Sequence, residues 1–180
     1  MTHGIAAIED VMMNSEVALT LARANDAEQA LVLANPAFCL LTGFTMSEAV
    51  GQNCRFLQRG LDNHGARSEI RDALENGRDV QLLLKNRRAS GEVFENLLML
   101  YTLHDEDGTP RFFLGSQFDV TRGTVESLDQ YGNALDRSIA WAMESRSRIK
   151  IRTTRILSES IVQAVRARLE NEWTGGSGGQ

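Results

Sequence analysis

Residues Gly51–Gln58 read G-Q-N-C-R-F-L-Q. A thiol, Cys54, stands between an amide that can both donate and accept, Asn53, and a guanidinium, Arg55. Phe56 and Leu57 follow, then a second amide, Gln58. Such a segment can hold a polar, phosphate-bearing, partly flat ligand and aim one sulfur at it. An isolated N-C or C-R pair would carry no information of this kind. Eight consecutive residues do.

The rest of the chain bounds what can surround this stretch. Its 180 residues suit one ordinary domain plus extra elements. Hydrophobic residues at 42% and charged residues at 24% fit a globular protein able to bury a core. The net charge of −5 argues against a general nucleic-acid binder. No apolar run is long enough to span a bilayer, so no membrane is expected. Met1–Asp10 lacks a basic region followed by an apolar core, so no secretory signal is expected, and a cytoplasmic location is. Cys39 and Cys54 make neither a disulfide framework nor a zinc site, and no metal is expected. Cys39, in the apolar run Phe38–Leu41, reads as a small buried hydrophobe.

Three zones and a tail follow from periodicity. Ile5, Ile8, Val11 and Met12 predict a short amphipathic helix over 1–15. Residues 16–121 read as a mixed α+β domain. Val17–Ala22 and Ala30–Ala34 are short apolar runs around a polar turn, which predicts a hairpin. Asn35-Pro36 starts a helix whose buried side is Phe38, Leu40 and Leu41, and Gly43 ends it. Ser47 and Glu48 begin a further short turn. Ala66–Asn76 predicts a helix with Ile70, Ala73 and Leu74 on one face. Val80–Arg88, Val93–Leu103 and Arg111–Thr121 predict three long strands, turned at Ser90-Gly91 and Asp105–Gly108. Together these make a five-stranded antiparallel sheet with small helices on one face. Residues 122–172 predict two amphipathic helices, one along Val125, Leu128, Tyr131 or Gly132, Leu135, Ile139 and Ala142, the other along Leu157, Ile161, Ala164 or Val165, and Leu169. Their stripes must pack on the sheet, on each other or on a second subunit. Eight Lys or Arg against two acids from Arg137 to Arg168 read as a solvated face. The Gly/Ser-rich residues 173–180 predict a flexible tail.

The octapeptide resembles the active-site motif of LOV domains, the flavin-binding blue-light receptors of the PAS superfamily. Three more stretches carry the resemblance in the same order. Arg71, on the 66–76 helix, matches a second phosphate-binding arginine. Asn86 and Asn96 match two asparagines on adjoining strands. The run F-L-G-S-Q-F-D-V-T, Phe113–Thr121, matches the closing strand, with Gln117 at the position of the switching glutamine. The chain departs from the common pattern at Glu95, where a tryptophan is usual, and at Ala89-Ser90-Gly91, where a lysine-aspartate pair is usual. Strand alternation points Glu95 away from the pocket.

The resemblance implies the PAS fold and flavin mononucleotide as cofactor. Arg55 and Arg71 are expected at its phosphate, and Asn53, Gln58, Asn86, Asn96 and Gln117 at the polar ring edge, because amides offer donor and acceptor together. Leu57, Ile70 and Leu98 are expected along the apolar edge. It further implies a non-enzymatic photoreceptor in which the Cys54 sulfur bonds reversibly to ring carbon C4a under blue light. Gln117 then relays the change to the terminal helices by rotating its amide. The chain resembles a short LOV protein, signalling through a light-modulated homodimer to an unidentified downstream protein. A flavin redox sensor would not need an aimed thiol. A DNA-binding effector would need more, shorter helices than 122–172 supplies.

Overall fold

The computed structural model describes residues 3–121 and 155–171. Helix α1 (His3–Met13) precedes β1 (Ala18–Arg23) and β2 (Leu31–Ala34). Helices α2 (Pro36–Thr42) and α3 (Met46–Ala49), a 3₁₀ turn (Cys54–Gln58) and α4 (His64–Glu75) follow. Three long strands, β3 (Val80–Arg87), β4 (Val93–His104) and β5 (Pro110–Asp119), complete the sheet. A further helix, α5, covers 155–171. The strands lie in the order β2-β1-β5-β4-β3, each pair antiparallel. The last of the described strands therefore sits in the middle, between the first and the fourth. The expected first helix of the 122–172 zone and the tail lie outside the described residues.

Alternation divides the sheet's side chains between two layers. On the inner face, Ala18, Ala22 and Leu31 pack with Ala34, Phe38, Ala49, Phe56 and Leu57 from the intervening helices and turn. On the outer face, Leu19, Leu21, Leu103, Phe112 and Leu114 pack beneath Ile8 and Met12 of α1 and Val162, Val165 and Leu169 of α5. The stripes of α1 and α5 are thus buried on their own sheet. Arg166 of α5 adds polar contacts to Asp79 and to the Thr102 carbonyl, at 3.5 and 3.4 Å.

Several local expectations need correction. Leu40 is 88% exposed, and α2 buries Phe38 and Thr42 instead, because residues four apart share a helix face. The short helix α3 is capped by Thr45, not Ser47, through a reciprocal box with Glu48. Helix α4 begins at His64, two residues before the expected start, because Asn63 turns its side chain to the backbone of Lys85 on β3. Leu157 is half exposed, and the buried line of α5 runs Ser158, Val162, Val165, Leu169. Glu95 lies on the outer face, as alternation requires, since its neighbours Phe94 and Asn96 are the buried pair on the inner one.

Asn35 joins the layers. Its Oδ1 accepts from the N–H groups of Leu19 (2.8 Å) and Phe38 (2.9 Å). Its Nδ2 donates to the carbonyls of Met12 (3.0 Å), Ser15 (3.2 Å) and Val17 (2.8 Å). One fully buried amide thereby caps α2, holds β1 and ties down the end of α1. Asn35→Ala is expected to lower the unfolding free energy by about 2–4 kcal/mol, since it strands several buried backbone groups. The check is urea unfolding, with a lower midpoint and unchanged slope. A loss below about 0.5 kcal/mol would show that the amide is dispensable.

Candidate functional site

The Gly51–Gln58 segment is stitched to the edge of the sheet. Gly51, at φ +87°, donates its N–H to the Leu31 carbonyl, and Leu31 N–H returns to the Gln52 carbonyl at 2.9 Å. A side chain at this left-handed position would be strained. Asn53 then caps the 3₁₀ turn, accepting from Arg55 N–H at 3.0 Å and donating to the Glu28 carbonyl at 2.6 Å. Phe56 and Leu57 anchor the turn in the inner core, Phe56 edge-on to Phe44 with ring centres 5.0 Å apart. These anchors fix where Cys54, the first residue of the turn, stands.

Opposite the turn, the inner face presents rows of side chains. Gln117 is paired with Ala18 on one side and Leu98 on the other, and Leu98 with Leu82. Asn96 is paired with Leu84, and Asn86 with Phe94. Asn86, Asn96 and Gln117 are each at least 98% buried. Asn96 Oδ1 accepts from Phe118 N–H at 3.1 Å. Gln117 Nε2 donates to Thr20 Oγ1 at 3.4 Å. Asn86 Oδ1 and Gln117 Oε1 are buried acceptors with no partner. Unpaired buried carbonyls are costly and call for a donor. A flavin ring edge carries one N–H donor beside several acceptors, and side-chain amides, which offer donor and acceptor together, fit such an edge. Leu57 is buried and Leu98 and Ile70 are partly buried, consistent with an apolar wall.

Cys54 as a residue is only partly buried, yet burial around its thiol pushes its pKa up to about 12, with the Gln117 side chain acting in the opposite sense. The sulfur is therefore a neutral thiol at physiological pH. Other expected site residues stand apart from this cluster. Arg55 pairs with Glu28 at 3.3 Å on the surface, and Arg71 is exposed on α4. Asn53 is occupied as a cap. Gln58 is buried, and its Oε1 accepts from Arg67 Nε at 2.9 Å. Sequence reasoning did not single out Arg67, which donates to Gln58, or Thr20, which accepts from Gln117; both contacts join residues far apart or on different elements. Among the described residues, no group of three or more His, Cys, Asp or Glu could hold a metal ion, and no helix is long and apolar enough to cross a membrane.

Fold and site together define a sensory domain class. Residues 17–122 match the PAS domain family. The Rhodobacter sphaeroides LOV protein shares 39% sequence identity, with a TM-score of 0.63, over 91% of this chain and 96% of that one. Blue-light-activated histidine kinase 2 of Erythrobacter litoralis is 36% identical over 149 residues, 83% of this chain and 41% of the kinase. The blue-light-activated histidine kinase of Rhizobium johnstonii is 45% identical over 100 residues, 55% and 29% of the two chains. This chain spans less than half the length of these curated relatives. The chain belongs to the PAS family and, within it, to the LOV-domain blue-light photoreceptors.

The thiol has a measurable signature. A pKa raised from 9.0 to about 12 leaves about a thousandfold less thiolate near pH 8 than an ordinary cysteine. In flavin-free Cys39→Ser protein, alkylation of Cys54 at pH 8 should be slower than that of a free thiol by a comparable factor, and should keep rising about tenfold per pH unit above pH 9, where an ordinary thiol levels off. Because the folded state holds the proton more tightly, this group's contribution to stability is whole below pH 9 and is lost as pH climbs towards about 12. Ordinary alkylation kinetics at pH 8 would refute this burial.

Proposed function

We propose that this chain is a blue-light receptor that holds flavin mononucleotide against the inner face of the sheet, with Cys54 as the thiol whose sulfur would bond reversibly to ring carbon C4a after light absorption, its proton passing to the adjacent ring nitrogen N5. The observation that carries this reading is a neutral thiol beside Gln117, a buried amide whose acceptor oxygen is unpaired. The bound flavin would supply light absorption and an electrophilic ring carbon. Asn86, Asn96 and Gln117 orient its polar edge, and Leu57, Ile70 and Leu98 exclude water from its apolar edge. Asn53 positions the turn that carries Cys54, and Gln58, whose oxygen accepts from Arg67, adds a further amide for the polar ring edge. Arg55 exchanges its exposed pair with Glu28, a contact of little energetic weight, for a charge-assisted bond to the phosphate, joined by Arg71. Gln117 relays the change by rotating its amide within β5. A flavin redox sensor has no use for a thiol at this point, which favours the light-driven reading.

The test is the absorption spectrum of the purified protein in darkness and after a blue flash, with mass spectrometry of the extracted chromophore. A structured flavin band that bleaches and recovers is expected, and Cys54→Ala should keep the flavin but lose the reversible bleach. A variant that still bleaches and recovers by thiol bonding would move the role to Cys39.

The output follows from the position of β5. Its inner residue Gln117 touches the site, while its outer neighbours lie under α1 and α5, and its end leads into the 122–172 zone. The signalling form is a homodimer whose interface is formed or braced by the terminal helices and altered by light. Light-scattering mass in darkness and under blue light checks this. A change in mass or shape is expected for the parent and a reduced one for Leu157→Glu, at a half-exposed position of α5. A monomer of constant shape in both states would end the proposal.

A further inference from the structure

Thr20 interrupts the apolar strand Ala18-Leu19-Thr20-Leu21-Ala22 and is 4% exposed. Its register partner on β5 is Gly115. A Cβ built at Gly115 would lie 2.8 Å from Thr20 Oγ1, closer than such atoms approach. The glycine therefore leaves the hydroxyl room above the strand. Two residues along β5, on the same face, Gln117 donates its Nε2 to that hydroxyl over 3.4 Å, at the long end for such a bond. The Oε1 of the same amide is buried and unpaired.

A hydroxyl both accepts and donates, and its hydrogen rotates to suit its partner. In the observed orientation Thr20 Oγ1 accepts from the amide nitrogen. With the amide turned over, the same hydroxyl can donate to the oxygen. A valine has the same shape and does neither. We propose that Thr20 is the positioning residue for Gln117, its hydroxyl meeting the amide in either orientation, with Gly115 keeping the space in which it does so. This rests on the reading of Gln117 as the relay. Rotation of the amide then leaves no unpaired group on the Thr20 side, so Thr20 sets the balance between the two orientations. The absence of polar alternatives in β1 sharpens the case, since the flanking inner-face positions are Ala18 and Ala22.

The test compares Thr20→Val, Thr20→Ser and Gly115→Ala with the parent by two measurements. The first is the side-chain amide resonances of Gln117 in flavin-free protein labelled with ¹⁵N-glutamine. The second is the dark-recovery time of the flavin-loaded protein after a blue flash. Thr20→Val should move the Gln117 resonances and change the recovery time by about threefold or more, the scale of one lost buried hydrogen bond, without loss of flavin. Thr20→Ser should stay close to the parent, and Gly115→Ala should follow Thr20→Val. The proposal is overturned if Thr20→Val matches the parent in both measurements. It is equally overturned if Thr20→Ser departs as far as Thr20→Val, which would mean packing rather than the hydroxyl. Should Thr20→Val fail to fold, Thr20→Ala against Thr20→Ser makes the same comparison. A parent that never bleaches would strike the photoreceptor reading instead, and the flavin-free resonances would still decide the role of Thr20.

Discussion

The amide of Asn35 is the constraint on which the rest of this structure depends. Three segments meet there: the end of α1, the start of β1 and the first turn of α2. Each brings backbone groups that no helix or sheet ladder satisfies, and one side chain in a fully buried position answers five of them. An amide is the only neutral side-chain group with both the donors and the acceptor to do this. Because α2 is oriented by this cap, Phe38 enters the inner core, and the chain leaves α2 in position for α3 and the Cys54 turn. Because α1 is held by the same group, Ile8 and Met12 cover the outer face. The inner and outer layers are thereby referred to one point.

The site depends on a second constraint, the low dielectric of the inner face. Amides are tolerable there only when paired, and a thiol there stays protonated. Both effects come from the same burial. A neutral Cys54 is a weak nucleophile towards ordinary electrophiles. The unpaired oxygens on Asn86 and Gln117 are a cost of that burial.

The central position of β5 links the site to the surface. Its alternating residues face Cys54 on one side and the α1 and α5 layer on the other. Gln117 lies on a strand that is clamped from both sides by β1 and β4. Arg88 strengthens the clamp at the far end, pairing with Asp119, reaching the Leu41 carbonyl and lying 4.3 Å from the centre of the Phe94 ring. Small changes in such a packed strand are not absorbed locally, because cores are close-packed.

Local chemistry alone determined a good deal of this protein. The Asn35-Pro36 start and Gly43 stop of α2, the hairpin turns and the alternation of β3 to β5 are short-range features, and each is satisfied by neighbours in the chain. Cys54 stood out in the sequence because an unusual residue lay within a long, ordered motif. What the sequence could not decide were matters of rotation and company. Leu40 and Leu157 are apolar at plausible helical positions, yet a rotation of one residue turned them to solvent, and only the layer beneath each helix sets that angle. Arg55 and Gln58 carried the right chemistry, but Glu28 and Arg67, distant in sequence or hidden among other charges, decided which of their atoms are engaged. Thr20 and Gln117, 97 positions apart, became partners only when β5 was inserted beside β1. Pairing across a sheet depends on which strands become neighbours, and that is settled by burial of the whole chain rather than by any one stretch of it.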